Sequence, residues 1–199
     1  EDLAPEKIKS FATIINKSAN FTLALLHDLL EWSRVQVGSI EANKENVNLS
    51  DLLMHNIAGV SPLVSSKKIA LTSDFPKNLV VFADKKMIST ITRNLMSNAI
   101  KFTAKGGTIA ISSKDIMLNN KKMIETTISD TGIGMSAEKI KNLFKIEHNY
   151  RSSGTNEESG TGLGLVLCNE FIEKNNGTIK VISKENVGSS FIFTLEASS

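Results

Sequence analysis

The sequence predicts a mixed α and β chain, with one long helix leading into a domain in which helices alternate with short strands. Three observations predict it. Apolar residues recur at a 3-4 spacing over 5–37. Short runs rich in β-branched residues begin at 69 and return to the end of the chain. Two pairs of these runs, 108–113 with 123–129 and 178–183 with 190–195, alternate as hairpins that close a sheet.

Pro5 suits the first turn of the long helix and Gly38 its C-terminal stop. Ile8, Phe11, Ile15, Leu25, Leu29 and Trp32 form its apolar stripe, with Ser18 and Thr22 in the same row. At ~1.5 Å per residue the helix is roughly 50 Å long, too long to hide fully against a domain of this size. Two readings stand: the stripe seals a helical bundle between subunits, or it packs on its own domain. Residues 38–48 are polar and read as a linker ending in a short strand. Ser50 or Asp51 caps a helix reaching 66, with Leu52, Leu53, Ile57 and Val60 apolar. Strands follow at 69–74 and 79–83, then Asp84 caps a helix over 85–102. Gly106 and Gly107 break the chain, and Asn119 with Asn120 occupy the turn of the first hairpin. A polar, glycine-bearing region spans 130–161, interrupted by a short helix over 136–144, and a helix over 163–175 precedes the final hairpin.

Composition narrows the class. Of 199 residues, 41% are hydrophobic and 22% charged, which is soluble globular material for one domain plus an accessory element. A net charge of +2 lacks the basic bias of a nucleic-acid or membrane-surface binder. Cys168 is the single cysteine, so no internal disulfide forms and a reducing compartment fits. No apolar run approaches the ~20 residues that span a bilayer. The chain starts at Glu1 without a signal peptide and is helical by Pro5, and we read it as a piece of a longer protein.

Three clusters carry chemistry. In the first, Asn94, Asn98 and Lys101 share one helix face. Their amide oxygens can coordinate a hard cation and the lysine can neutralise phosphate; a solvated polar stripe is the plain alternative. In the second, Asp130-Thr-Gly132-Ile-Gly134 follows a strand. A carboxylate near apolar walls can accept a hydrogen bond from an exocyclic amine, worth roughly 1.5–3 kcal/mol. The glycines let the backbone pass close to a ligand, although Asp-X-Gly turns after strands are common. In the third, Gly160-Thr161-Gly162-Leu163-Gly164-Leu165 opens a helix, where free amides form a phosphate cradle unless the glycines serve packing alone. Its spacing matches neither the dinucleotide fingerprint nor the P-loop.

In this order the clusters resemble sensor histidine kinases. Residues 94–103 look like the N box of that family, 130–134 like its first glycine box and 160–165 like its second. Phe144 with Tyr150-Arg151 resembles a degraded phenylalanine box, with 145–149 standing where a second phenylalanine is usual. Gly188-Ser-Ser-Phe191 resembles the turn before the last strand. The match covers about 49–197. The wider superfamily includes DNA gyrase, mismatch-repair ATPases and the ninety-kilodalton heat-shock chaperone. Leu29-Leu-Glu-Trp-Ser-Arg34, then Gly38, is similar to the end of the second dimerisation helix, which separates the chain from serine kinases of the same superfold. A nucleotide-dead signalling module is the remaining rival, and every pocket residue that it would lack is present.

The resemblance implies an α/β fold of the two-layer α+β kind: a mixed β-sheet with helices on one face (the Bergerat-type ATP-binding fold), preceded by one long helix. It implies residues 1–40 as the second dimerisation helix, 41–48 as linker and 49–199 as the catalytic domain. It implies ATP and Mg2+ as cofactors. Asp130 would bond the adenine amine, Asn98 would hold the metal and Asn94 would contact phosphate or metal-bound water. Lys101 would pair with phosphate and Phe102 would line the adenine side. Gly132 and Gly134 would approach the base, and Gly160, Thr161, Gly162, Leu163 and Gly164 would surround the phosphates. A lid over 135–159 would order around nucleotide. The implied partners are a second copy through the N-terminal helix and a response regulator receiver domain, with no nucleic acid. A membrane enters only through regions upstream, so the chain is cytoplasmic by itself or as part of a membrane sensor. The family's acceptor histidine sits in a His-Glu/Asp-X-X-X-Pro context that His27, His55 and His148 all lack. The chain is therefore expected to bind ATP without phosphorylating itself, its first helix and acceptor lying outside it.

Overall fold

The computed structural model describes residues 5–36, 41–145, 155 and 162–198. Helix α1 (Pro5–Gln36) comes first and runs 32 residues. The domain after it contains β1 (Glu45–Asn48), α2 (Leu49–Ser66), β2 (Ala70–Asp74), β3 (Val80–Ala83) and α3 (Lys85–Phe102). It continues with β4 (Thr108–Leu118), β5 (Lys121–Asp130), α4 (Ala137–Lys141), α5 (Gly164–Lys174), β6 (Ile179–Lys184) and β7 (Gly188–Glu196).

Five strands form a sheet in the order β2-β4-β5-β7-β6. β2 runs parallel to β4 and the other pairs are antiparallel, so the sheet is mixed. Side chains alternate between faces along a strand, and the register decides which face is dry. Ile111, Ile128 and Phe191 lie in one cross-strand row, and Ile124 lies opposite Leu195. These residues, with Ile109 and Phe193, are buried. They share a core with Leu53 of α2, Ile88, Ile91 and Leu95 of α3, and Leu167 and Phe171 of α5. The opposite face is polar: Glu125 pairs with Lys114 at 3.3 Å and Lys180 at 3.6 Å, and Ser129 bonds Ser190 at 2.8 Å. Helices on one face of a mixed sheet give the two-layer architecture expected from the sequence.

The local differences have physical causes. Asn48, not Ser50 or Asp51, caps α2, its side chain accepting from the Asp51 amide at 3.2 Å. Ser50 is buried instead and spans the β2–β3 connection, donating to the Pro76 carbonyl and accepting from the Leu79 amide. The β4–β5 hairpin extends past 113 and 123 to Leu118 and Lys121, and its tip carries little apolar contrast because it projects beyond the helix layer. Its two-residue turn is Asn119-Asn120, both at positive φ (50° and 61°), as a tight hairpin requires. α4 is shorter than the predicted 136–144, with Ser136 as its cap. β1 and β3 pair with each other in a second, two-stranded sheet. That sheet is tied to the end of β7 through a Val81–Ala197 bridge and the Ser198 amide on the Val80 carbonyl.

Candidate functional site

The site forms where α3, α5 and the loop after β5 meet. α3 is amphipathic, with eight buried residues including Ile88, Ile91, Leu95 and Met96. Asn94, Asn98 and Lys101 lie off that stripe, and each is half-buried. Among the described residues neither Asn94 nor Asn98 has a side-chain hydrogen-bond partner. An amide taken partly out of water without a partner is costly unless a ligand completes it.

Asp130 ends β5 opposite Ile109 and Ser189, two residues on from Ile128 and therefore on the helix-covered face. Its Oδ1 accepts the Gly132 amide at 2.8 Å. Burial pushes the Asp130 carboxyl above its ordinary value, and backbone hydrogen bonds from Gly132 and Ser189 only partly offset that. An underused acceptor at the edge of an apolar layer is a fitting partner for an exocyclic amine.

The loop after Asp130 is pressed against α3. The Ile133 amide donates to the Phe102 carbonyl at 3.2 Å. A Cβ on Gly132 would lie 2.4 Å from that same carbonyl oxygen, so no side chain fits there. Gly134 has φ +65°, and its Cβ would meet the Lys184 carbonyl at 1.9 Å. The loop also clips onto the β6–β7 turn through the Asn186 amide on the Ile133 carbonyl, at 2.7 Å.

α5 supplies the other wall. Asn48, Asp84 and Ser136 cap α2, α3 and α4 through their side chains, whereas the N-cap position of α5 is Leu163, whose own side chain cannot cap. The first amides of this helix carry its positive dipole end. A Cβ on Gly164 would lie 3.5 Å from the Asn94 amide, which brings the first and third sequence clusters into contact. Gly162 and Leu163 sit at this junction, whereas Gly160 and Thr161 lie outside the described residues, as do His148, Tyr150 and Arg151. His27 belongs to α1, and His55 lies on α2.

Two lysines that sequence reasoning did not single out belong to this neighbourhood. Lys139 of α4 places its ammonium 5.8 Å from the Phe102 ring centre, while Lys101 stands at 4.8 Å from the same ring. Burial lowers the Lys139 pKa. Lys67 is buried at the C-terminal end of α3, donating to the Ile100 carbonyl at 2.8 Å, the Lys101 carbonyl at 3.2 Å and Thr155 Oγ1 at 2.9 Å. It satisfies carbonyls that a helix end leaves unpaired. Nothing in the sequence separates either lysine from the surface lysines around it.

The matching family model describes histidine kinase-, DNA gyrase B- and HSP90-like ATPases, and it covers residues 83–199. The chain belongs to this ATPase family. Within that family it is similar to sensor histidine kinases. It is 32% identical over 198 residues to the sensor histidine kinase GacS of Pseudomonas protegens, covering 98% of this chain and 21% of that protein. Among solved structures, the nucleotide-free catalytic domain of histidine kinase ThkA superposes with a TM-score of 0.66 at 26% identity, over 77% of this chain and 95% of that one. ThkA in complex with the response regulator TrrA superposes at 0.78, at 22% identity, over 99% of this chain and 53% of that one. Full-length ShkA in complex with AMPPNP superposes at 0.78 over all of this chain and 40% of that one, at 22% identity, and shares the fold. The chain spans about a fifth of the length of the curated relatives it matches. Membership of the ATPase family implies ATP binding. No helix among the described residues is long and apolar enough to cross a membrane.

Proposed function

We propose that this chain binds magnesium-ATP between α3, α5 and the loop after β5, and presents the γ-phosphoryl group to a histidine outside its own sequence. The observation that carries the reading is the convergence of three sequence-distant clusters: Ile133 on the Phe102 carbonyl, and Gly164 against Asn94. Asp130 reads the adenine amine, with Gly132 and Gly134 letting the base approach and Phe102 flanking it. Lys101 and the amides of Gly162, Leu163 and Gly164 hold the phosphates, together with Gly160 and Thr161 of the same box. The half-buried, unpartnered amide of Asn98 suits a hard cation, and Asn94 suits phosphate or metal-bound water. Magnesium, when bound, supplies charge neutralisation on the triphosphate. The chain's own part in transfer is positioning and dipole stabilisation rather than proton chemistry.

Residues 1–40 act as the second helix of a dimerisation domain, 41–48 as linker and 49–199 as the catalytic domain, placed in the cytoplasm. Support for dimerisation comes from α1, where Phe11, Ile14, Ile15 and Leu23 are each more than half exposed. A receiver domain with an acceptor aspartate is the downstream partner, in line with the regulator named in the ThkA complex.

Calorimetric titration with magnesium-ATP, followed by incubation with γ-labelled ATP, tests the reading. Binding without stable label on this chain is the expected result. Absence of binding at millimolar nucleotide would make it a dead signalling module, and label on His27 would move the acceptor into the chain.

A further inference from the structure

The far end of the α3–α5 pair carries a second polar cluster, away from the nucleotide site. The two helices lie antiparallel: Gly164 at the start of α5 abuts Asn94, and Asn175 at its end reaches Asp84 at the start of α3. Asn175 is fully buried and Asp84 is 9% exposed. Asn175 Oδ1 accepts the Asp84 amide at 2.7 Å, and its Nδ2 donates to the Phe171 carbonyl at 2.7 Å. The Asp84 carboxylate divides its work. Oδ1 caps α3, accepting from the Lys86 and Met87 amides at 2.9 and 3.0 Å. Oδ2 accepts the amide of Asn43 at 2.9 Å, from the segment between α1 and β1.

The second oxygen is the informative one. A helix cap needs a single acceptor, which serine, threonine or asparagine supplies equally well. Only a carboxylate offers a further acceptor to a chain segment forty-one residues away. That segment follows α1, and the two helices joined at this node are the ones whose other parts line the nucleotide site.

We infer that Asp84 is a positioning residue for the kinase reaction: it pins the linker to the shared end of α3 and α5, so that linker attachment and nucleotide occupancy are coupled. The inference rests on the nucleotide reading above. Coupling of this kind is reciprocal, so nucleotide that stiffens α3 and α5 also tightens the linker bond. Asn175 completes the device by holding the Asp84 backbone to α5.

The test is hydrogen exchange at residues 41–44 of this chain, with and without magnesium-AMPPNP. The Asn43 amide is expected to be protected in the wild type and more so with the analogue. Asp84→Asn keeps an oxygen for the helix cap and turns an N–H toward Asn43. It is expected to melt with the wild type, bind the analogue within about threefold and exchange Asn43 about tenfold faster, with no response to nucleotide. Asn43→Pro, which removes the donor and also fixes the local φ, is expected to uncouple the remaining linker amides in the same way. Analogue binding that leaves wild-type linker exchange unchanged, or protection that survives in Asp84→Asn, overturns the inference alone. A wild-type chain that binds no analogue overturns the nucleotide reading and this inference with it.

Discussion

The two ends of the α3–α5 pair use the same kinds of side chain in opposite ways. At the closed end, Asp84 and Asn175 are buried: Asn175 Oδ1 accepts the Asp84 amide, and the Asp84 carboxylate accepts the Lys86 amide of its own helix. At the open end, Asn94 and Asn98 are half-buried without side-chain partners among the described residues, and the N-cap of α5 is a leucine. An amide or carboxylate whose capacity is spent within the fold stabilises it; one left unfilled is available to a ligand. Substitutions that leave a buried polar group at the closed end without its partner should therefore change folding, and those at the open end nucleotide affinity.

The largest effect belongs to the packing that joins the ends. Ile91, fully buried in the shared core, should cost about 2–5 kcal/mol on Ile91→Ala, read by chemical denaturation, because a cavity adds to the lost transfer energy. Asn175→Ala comes next: it leaves the buried Asp84 amide without its acceptor and should cost about 1–3 kcal/mol. A stability equal to wild type would mean that water or a shift of the chain heals the closed end.

At the open end the readout changes. Asp130→Asn should weaken ATP at least about tenfold, or about 1.4 kcal/mol, without lowering stability. The sign follows from the raised carboxyl pKa. Folding disfavours the charged form, so this group's contribution to stability is present at low pH and lost as pH rises through the ordinary and then the raised value. Removing the charge costs the fold nothing at neutral pH. Binding runs the other way: lowering pH through the raised pKa protonates Asp130 and removes the acceptor, so ATP affinity should fall at acid pH. Asp130→Asn should abolish that dependence, and a persistent slope would place the titrating group elsewhere. The smallest effect is expected at Lys139→Gln. Losing one partly exposed cation beside Phe102 should weaken ATP about threefold while leaving adenosine affinity unchanged. Equal weakening of both ligands would assign Lys139 to packing on the ring.

Much of this contrast was legible beforehand, for reasons particular residues make plain. Asn94, Asn98 and Lys101 could be put on one face because helical spacing is local, and Asp130 could be put at a strand end because alternation and the following glycines are local. Asp84 was recognisable as a cap, but its bond to Asn43 was not, since nothing in either neighbourhood encodes a partner forty-one residues away. The cap of α2 was misplaced for the same reason: Ser50 looks like a cap in sequence, and only the β2–β3 connection packed over it claims its hydroxyl. Lys67 and Lys139 carry no local mark of burial.

By itself the sequence determined the elements, the hairpin turn at Asn119-Asn120 and the three polar and glycine clusters proposed to meet nucleotide, because backbone propensity and side-chain periodicity act over a few residues. Tertiary structure alone decided that β1 and β3 form their own sheet, that Gly164 meets Asn94, and that one oxygen of Asp84 goes to the linker. Those are matters of which distant surfaces are brought together, and a partner's identity enters the energy only once the chain has closed the loop between them.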